Sequence, residues 1–237
     1  MLDIHCLASG SSGNSYAIDD GESVLLLEAG IKINRILQGY YDLFERVSGC
    51  LITHEHNDHA VSTAKLHDSG IKIYASKGTL KNIKSVKFAE YGYVPVTAGK
   101  QFRVGSYIVM PWQAQHDCAE PLGYLIYSTI TKDKLLFATD TYYIPNRFVN
   151  LNYIMVECNY SEEILKENLI TGSINGTLAK RLRQSHFSLE NVKDFLRAND
   201  LSKVEEIYLL HLSGKNADSK LFKEEIQRLT GKLITVF

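Results

Sequence analysis

The chain has 237 residues, 45% of them hydrophobic, which is enough to build one large domain with a substantial core. Its formal net charge is −1, so no global field draws it to nucleic acid, and any affinity for DNA must come from local groups. No run of eighteen apolar residues occurs, and the chain does not open with a basic segment followed by an apolar one. We therefore expect a single domain over residues 1–237, no membrane span or signal peptide, and a cytoplasmic location.

The first third of the chain predicts strands joined by short turns. A strand over residues 3–8 leads into a turn rich in glycine and serine, and residues 16–18 and 24–27 then form a hairpin-like pair. A short helix is predicted over residues 34–37. After an apolar stretch at residues 50–52, a helical pattern runs to Leu66 and ends near Gly70, and a strand follows over residues 71–75.

The rest of the chain alternates between apolar strands and amphipathic helices. Strands separated by glycine-marked turns are predicted from residue 91 to residue 127. Ser188 is the expected N-cap of one helix, and Gly231 is the expected stop of the last. The layout predicts an α/β fold of two packed sheets with helices on both outer faces. The predicted elements are helices over 162–169, 188–198 and 219–229 and strands over 151–156, 207–210 and 232–237.

The four cysteines show no Cys-x-x-Cys spacing, and each lies beside apolar residues. We expect reduced and mostly buried thiols rather than disulfides or a closed zinc site. Cys118 differs from the others because it lies two residues from a histidine, although packing of a small side chain explains it as well. The cysteines are Cys6, Cys50, Cys118 and Cys158.

Residues 53–59, which read THEHNDH, carry three imidazoles and two carboxylates directly after an apolar stretch. His54 and His56 are two residues apart and point to the same side if the chain stays extended. Asp58 and His59 follow at the head of the predicted helix. Solvated histidines clustered this closely would repel one another when protonated and add nothing to packing, so the run predicts an open metal site for hydrolysis.

The pattern His54-x-His56-x-Asp58-His59 resembles the signature of the metallo-β-lactamase-fold hydrolases. The resemblance implies an αββα four-layer sandwich and two divalent metal ions held by the run and three later ligands. Three residues that each follow an apolar, strand-like stretch are the matching candidates: His116, Asp140 and His211. By resemblance, the first metal is held by His54, His56 and His116, the second by Asp58, His59 and His211, and Asp140 bridges them.

Other segments resemble a narrower group within that superfamily, the YycJ/WalJ group of 5′-to-3′ DNA exonucleases. They are residues 8–15, 116–124, 139–141, 157–159 and 211–213 with Asn216. One departure lies at residues 185–191, where the group usually has His-Leu-Ser-Asn and this chain reads SHFSLEN, with its asparagine displaced.

Histidine and carboxylate ligands without cysteine suit zinc, manganese or iron, with zinc the default and manganese its main rival. Two such ions about 3.5–4 Å apart lower the pKa of water, so a metal-bridging hydroxide can attack phosphorus at neutral pH. The resemblance also implies that Asp58 accepts a proton from that water as well as binding metal. The function implied is that of a dinuclear phosphodiesterase, with DNA as substrate and 5′-to-3′ exonuclease activity.

Several polar groups are candidates for contact with the substrate phosphate. Arg181 and Arg183 precede His186, and guanidinium groups bind phosphate oxygens in a fork geometry. We interpret His186 as a phosphate ligand or a proton donor to the leaving oxygen, or else as a surface histidine before a helix. In the loop at residues 9–15, Ser12 and Asn14 are expected near the site. A second basic cluster, more typical of a solvated face, comprises Lys72, Lys77, Lys81, Lys84 and Lys87.

Three other functions remain open from the sequence. The first is a phosphodiesterase for cyclic nucleotides or phosphoribosyl cyclic phosphates, and the second is a thioester hydrolase. A β-lactamase is disfavoured because lactamases of this fold commonly use a cysteine at the second metal, where this chain has Asp140. The third is a metal-stabilised binding protein, which a complete set of seven ligands argues against.

Overall fold

The structure is a computed structural model that describes residues 1–86 and 91–237; Lys87, a member of the second basic cluster, lies outside them. The chain divides into two compact units. Unit 1 comprises Met1–Gln113 and Cys118–Asp133, and unit 2 comprises Ala114–Asp117 and Lys134–Phe237. The single domain expected over residues 1–237 stays a prediction.

Unit 1 contains a six-stranded sheet in which the strands follow one another in chain order. The first three strands pair antiparallel, and the pairs from β3 to β6 are parallel. The predicted opening strand and hairpin are confirmed. The strands are β1 (Asp3–Ala8), β2 (Ser15–Asp19), β3 (Val24–Leu27), β4 (Val47–Leu51), β5 (Ile73–Ser76) and β6 (Tyr93–Val96).

Three more strands of unit 1 form an antiparallel meander, in agreement with the glycine-marked strands predicted between residues 91 and 127. They are β7 (Phe102–Val104), β8 (Tyr107–Gln113) and β9 (Leu122–Ser128). Gly123 is required at its position because a Cβ there would lie 2.1 Å from the Trp112 ring.

The helices of unit 1 are short. They are α1 (Ile33–Gly39), α2 (Asn57–Ala60), α3 (Thr63–Asp68) and α4 (Lys77–Asn82), with a 3-10 helix at Tyr41–Arg46. The prediction of a single helix up to Leu66 is wrong, because the helix is interrupted between α2 and α3. The N–H of Ser62 donates to the carbonyl of Ala29, and its hydroxyl donates to the carbonyl of Ile31, so tertiary bonds replace a helical one there.

Unit 2 is built on parallel strands that pair in chain order. The strands β10 to β12 are almost completely buried, which explains why they read as unbroken apolar runs. Their prediction is confirmed within the usual shift of one or two residues. The strands are β10 (Lys134–Ala138), β11 (Tyr153–Glu157), β12 (Glu206–Leu210) and β13 (Leu233–Val236).

Four helices complete unit 2: α5 (Glu162–Ile170), α6 (Gly176–Ser185), α7 (Leu189–Ala198) and α8 (Ser219–Thr230). The Ser188 side chain accepts from the N–H of Asn191, and Gly231 has a left-handed φ of 67°, so both predicted helix ends are confirmed. Helix α6 was not predicted, although the Asn175 side chain caps it by accepting from the N–H of Leu178. No helix among residues 1–86 and 91–237 is long and apolar enough to cross a membrane.

Candidate metal centre

In unit 1 the run at residues 53–59 brings four potential ligands together where β4 has ended and α2 begins. His54 Nε2 lies 3.1 Å from His56 Nδ1, and the rings of His54 and His59 are 4.2 Å apart between centroids. Asp58 Oδ2 lies 3.5 Å from His59 Nε2. His54 and His59 are buried, so the cluster is held in place by its surroundings and is not a mobile surface group.

A buried glutamate supports the cluster from behind. Glu28 follows the apolar strand β3, is fully buried, and has a φ of 65°, a left-handed conformation that is costly outside glycine. Its carboxylate accepts from the N–H of Thr53 at 3.3 Å and lies 3.7 Å from His59 Nδ1. Burial raises the pKa of Glu28, an effect that the nearby imidazole opposes.

Asn14 ties the glycine-rich loop to the same run. Its Nδ2 donates to the carbonyls of Gly10 and Asp58, both at 3.1 Å, and lies 3.2 Å from His59 Nε2. The side chain is completely buried and therefore holds His59 in position. Ser12 is exposed, and contact of either residue with substrate stays a prediction.

The backbone around Asp58 leaves no space for a side chain at Gly30. A Cβ there would lie 1.6 Å from the carbonyl oxygen of Asp58 and 2.7 Å from the amide nitrogen of Asn14. Glycine therefore lets three segments of unit 1 approach at the point where the metal-ligand run begins its helix.

In unit 2 the later candidates gather at the carboxyl ends of parallel strands. Asp140 follows β10 with a φ of 46°, and His211 follows β12 with a φ of 54°. Such left-handed residues cost about 1–3 kcal/mol and concentrate at functional sites. His116 donates from Nδ1 to the carbonyl of Ser185 at 2.7 Å, which turns its Nε2 toward Asp140 Oδ2 at 3.5 Å.

Glu157, at the end of β11, organises this second cluster. Its Oε1 accepts from Nδ1 of His186 at 2.6 Å and from Nδ1 of His211 at 3.1 Å. Its Oε2 accepts from the N–H groups of Thr141 and Phe187. Because both imidazoles donate through Nδ1 to this carboxylate, Glu157 fixes the orientation of both rings, as carboxylates behind metal-binding histidines commonly do.

The electrostatics of the second cluster favour charge on the Glu157–His186 pair. Burial opposes both charged forms, but the attraction between the two groups outweighs it, so the pKa of Glu157 is lowered and the pKa of His186 is raised. Burial instead lowers the pKa of His116. Atoms of Asp140, Glu157, His186 and His211 all lie within 4.8 Å of one another, a spacing that could hold a metal ion.

The two arginines predicted to contact phosphate already have carboxylate partners. Arg181 donates to Asp117 at 3.1 Å, and Arg183 makes two hydrogen bonds to Glu162, at 2.8 and 2.7 Å. A phosphate would have to compete with these pairs, so the predicted role of the arginines remains a prediction.

Two residues that organise the clusters, Glu28 and Glu157, were missed by the sequence analysis. Glu28 directly follows a strand of buried apolar residues, and Glu157 is the last residue of another such strand. A lone carboxylate in that place is rarely buried without a partner, and this is the signal that could have identified them.

The donor atoms fit divalent metal ions. Each unit presents imidazole nitrogens and carboxylate oxygens without a thiolate, a set suited to zinc or manganese. Each set is also backed by a buried glutamate within hydrogen-bonding or ion-pairing distance of its histidines. Metal-ligating histidines commonly have such carboxylate support, because it fixes the ring and its tautomer.

Comparison with known proteins establishes the family. The sequence model of the family described as the beta-lactamase superfamily domain matches residues 26–212, so the chain belongs to this superfamily. Its mixed α/β architecture is that of the metallo-β-lactamase fold, which confirms the predicted fold class and the predicted class of metal-dependent hydrolase.

More particular similarities exist to two curated proteins and one solved structure. Exodeoxyribonuclease WalJ of Streptococcus pneumoniae is 29% identical over 231 residues, covering 89% of this chain and 81% of its own. Exodeoxyribonuclease YycJ of Bacillus anthracis is 27% identical over 242 residues, covering 96% of this chain and 89% of its own. The metallo-β-lactamase fold protein YhfI of Bacillus subtilis matches in structure with a TM-score of 0.72 at 13% identity, covering 100% of this chain and 96% of its own. The predicted resemblance to the YycJ/WalJ group is confirmed.

Proposed function

We propose that the chain is a dinuclear metal-dependent phosphodiesterase that degrades DNA as a 5′-to-3′ exonuclease. The observation that carries the proposal is the buried Glu157 carboxylate, whose Oε1 accepts from Nδ1 of both His186 and His211 and so orients the two imidazoles. The names of the two curated relatives support DNA as the substrate. We place the activity in the cytoplasm.

The proposed metal ligands comprise four residues of unit 1 and three of unit 2. The carboxylates and imidazoles within each unit already lie close together, and the family membership supports metal binding by both sets. Bound zinc or manganese would supply a water nucleophile at neutral pH and neutralise charge on phosphate oxygens. The ligands are His54, His56, Asp58, His59, His116, Asp140 and His211.

Two residues of the chain have proposed proton-transfer roles. Asp58 is partly exposed, so its carboxylate can accept a proton from an attacking water. His186 is held through Nδ1 by Glu157, and its other nitrogen can bind a phosphate oxygen or donate a proton to the leaving oxygen. Ser12, Asn14, Arg181 and Arg183 are the proposed contacts to substrate.

The test uses the purified chain loaded with manganese or zinc and DNA strands carrying a label at the 5′ or the 3′ end. Release of labelled mononucleotide from the 5′ end, with metal content near two ions per chain, is the expected result. Rapid turnover of cyclic nucleotides without any mononucleotide from DNA would contradict the exonuclease proposal and favour a small-molecule phosphodiesterase. An Asp140→Asn variant is the control and should lose both metal and activity.

A further inference from the structure

A cavity of about 380 Å³ lies in unit 2, and its lining includes Phe187, the residue that directly follows His186. It is bounded by residues 143–147 on one side and by Phe187 and helix α7 on the other. Its volume falls at the small end of the range for pockets that bind small molecules or single groups of a larger ligand. No function described above uses it.

The cavity walls are fixed to each other by two asparagine side chains. Asn191 of α7 donates to the carbonyl of Tyr142 at 3.3 Å. Asn199 accepts from the N–H of Phe148 and donates to the carbonyl of Phe195, both at 2.8 Å. The opposing segment is therefore held against α7 near both of its ends, and the cavity is preformed.

The chemistry of the lining changes from floor to mouth. Phe187 and Phe195 are buried, and their ring centroids lie 6.4 Å apart. At the mouth, the Tyr143 side chain is 56% exposed and Arg147 is exposed. Among residues 1–86 and 91–237, Arg147 makes no ion pair with a carboxylate, in contrast to Arg181 and Arg183. Asp194, whose Oδ1 accepts from Arg197 at 2.9 Å, adds a carboxylate to the lining.

Both walls start at the second metal-ligand cluster. Phe187 directly follows His186, and its N–H donates to Glu157 Oε2. The opposite wall begins after Thr141, whose N–H donates to the same oxygen and whose hydroxyl donates to the carbonyl of Tyr143. A group bound in the cavity therefore contacts two segments of the chain that are both hydrogen-bonded to Glu157 of the cluster.

We propose that this cavity binds a nucleobase of the DNA strand, with the base stacked on Tyr143 and a backbone phosphate bound by Arg147. The inference rests on the proposed function and names where that substrate's base lies. An exposed aromatic ring beside an unpaired guanidinium is the combination that binds single-stranded nucleic acid, because every base has a face for stacking and each link carries a negative charge. Asp194 can accept from the exocyclic amine of cytosine or adenine.

The test compares two 5′-phosphorylated strands, one normal and one with abasic sugars at its first two positions, on the metal-loaded full chain. Wild-type protein should cleave the abasic strand with a kcat/KM lower by roughly 5- to 100-fold, which is the range for loss of one stacked base. Tyr143→Ala should show the same loss on the normal strand and no further loss on the abasic one. Tyr143→Phe keeps the ring and should behave as wild type.

Arg147→Ala should weaken the binding of both DNA strands equally. It should also reduce the dependence of KM on salt concentration, because it removes one phosphate contact. Tyr41→Ala and Arg228→Ala are matched controls, since both side chains are exposed and lie outside the cavity and the clusters. A Tyr143→Ala variant that still distinguishes the two strands as wild type does would overturn the subsite and leave the exonuclease intact. A wild-type protein that releases nucleotides from neither strand would overturn both proposals.

Discussion

Glu157 Oε1 lies 2.6 Å from His186 Nδ1 and 3.1 Å from His211 Nδ1, so one buried carboxylate oxygen accepts from two imidazoles. The other oxygen accepts two backbone N–H groups. A glutamine has only one oxygen for these four donors, and its amide would face N–H groups. The carboxylate is therefore matched to its place by charge and by hydrogen-bond count.

We expect Glu157→Gln to lower phosphodiester hydrolysis by roughly 10- to 100-fold, as losses of a carboxylate behind a metal-binding histidine generally do. Metal affinity should fall with it, because His211 loses its orientation. Metal content after dialysis and the initial rate on bis-p-nitrophenyl phosphate are the measurements. Glu224→Gln, an exposed change on α8, is the control and should leave both unchanged. If Glu157→Gln kept the wild-type rate and metal content, the contacts of Glu157 with His186 and His211 would contribute to packing alone.

His186→Ala separates the proton-donor role of His186 from a metal-ligand role. If His186 acts on the leaving oxygen or the phosphate, kcat should fall by roughly 100-fold or more, within the range for a general acid. The content of metal should stay at the wild-type value. Loss of metal in the variant would instead assign His186 to the ligand set, which its position within 4.8 Å of Asp140, Glu157 and His211 allows. Elemental analysis beside single-turnover rates on 5′-labelled DNA distinguishes the two results.

The sequence predicted most of the strands because their signal is local: unbroken apolar runs such as residues 207–210 have few other structures open to them. The helix ends at Ser188 and Gly231 could be predicted for the same reason, because the capping signal lies in the residue itself and its immediate neighbours. The break between α2 and α3 could not be predicted, since Ser62 bonds to Ala29 and Ile31, which lie about thirty residues earlier. Local pattern gives no sign of a partner at that separation.

The residues of the candidate site likewise divide into those that the local sequence identifies and those that only the structure identifies. The run at residues 53–59 is dense enough to be recognised without any structure, whereas Asp140 and His211 were placed by resemblance. Glu157 is different, because its importance comes from the histidines of two other segments that reach it. Asn14 was predicted near the site for its hydrogen-bonding groups, but the structure shows that Gly10, Asp58 and His59 occupy them.

Gly30→Ala tests the close approach of three backbone segments beside Asp58. The new Cβ would lie 1.6 Å from the Asp58 carbonyl, so the backbone must move, and we expect a loss of about 3 kcal/mol or more of unfolding free energy. Metal content should fall as well, because the displaced backbone carries Asp58 and His59. Urea denaturation and elemental analysis are the measurements. Gly176→Ala is the control: nothing lies within 4 Å of its Cβ, and alanine is the better helix former at the start of α6. Equal stability of the two variants would contradict the steric argument.

Asp19 and Arg46 provide a pH-dependent contribution to stability in unit 1. Two hydrogen bonds of 2.6 Å join the carboxylate to the guanidinium, and this pairing with Arg46 lowers the pKa of Asp19, against the opposing effect of burial. Because the folded pKa lies below the unfolded value, the contribution is complete above the unfolded pKa of about 4 and is lost as the pH falls through the folded pKa. Since Arg46 is about a third exposed, solvent screening limits the contribution to about 1 kcal/mol.

Asp19→Asn should therefore reduce the unfolding free energy by about 1 kcal/mol at pH 7, and the difference from wild type should shrink as the pH falls below about 4. Urea denaturation of both proteins from pH 7 down to the acid limit of folding measures it. The pair should also weaken in high salt, because its arginine is partly exposed. Asp42→Asn, an exposed change on the 3-10 helix, is the control and should show no such convergence. A difference between Asp19→Asn and wild type that stayed constant with pH would mean that packing of the side chain, and not its charge, accounts for the loss.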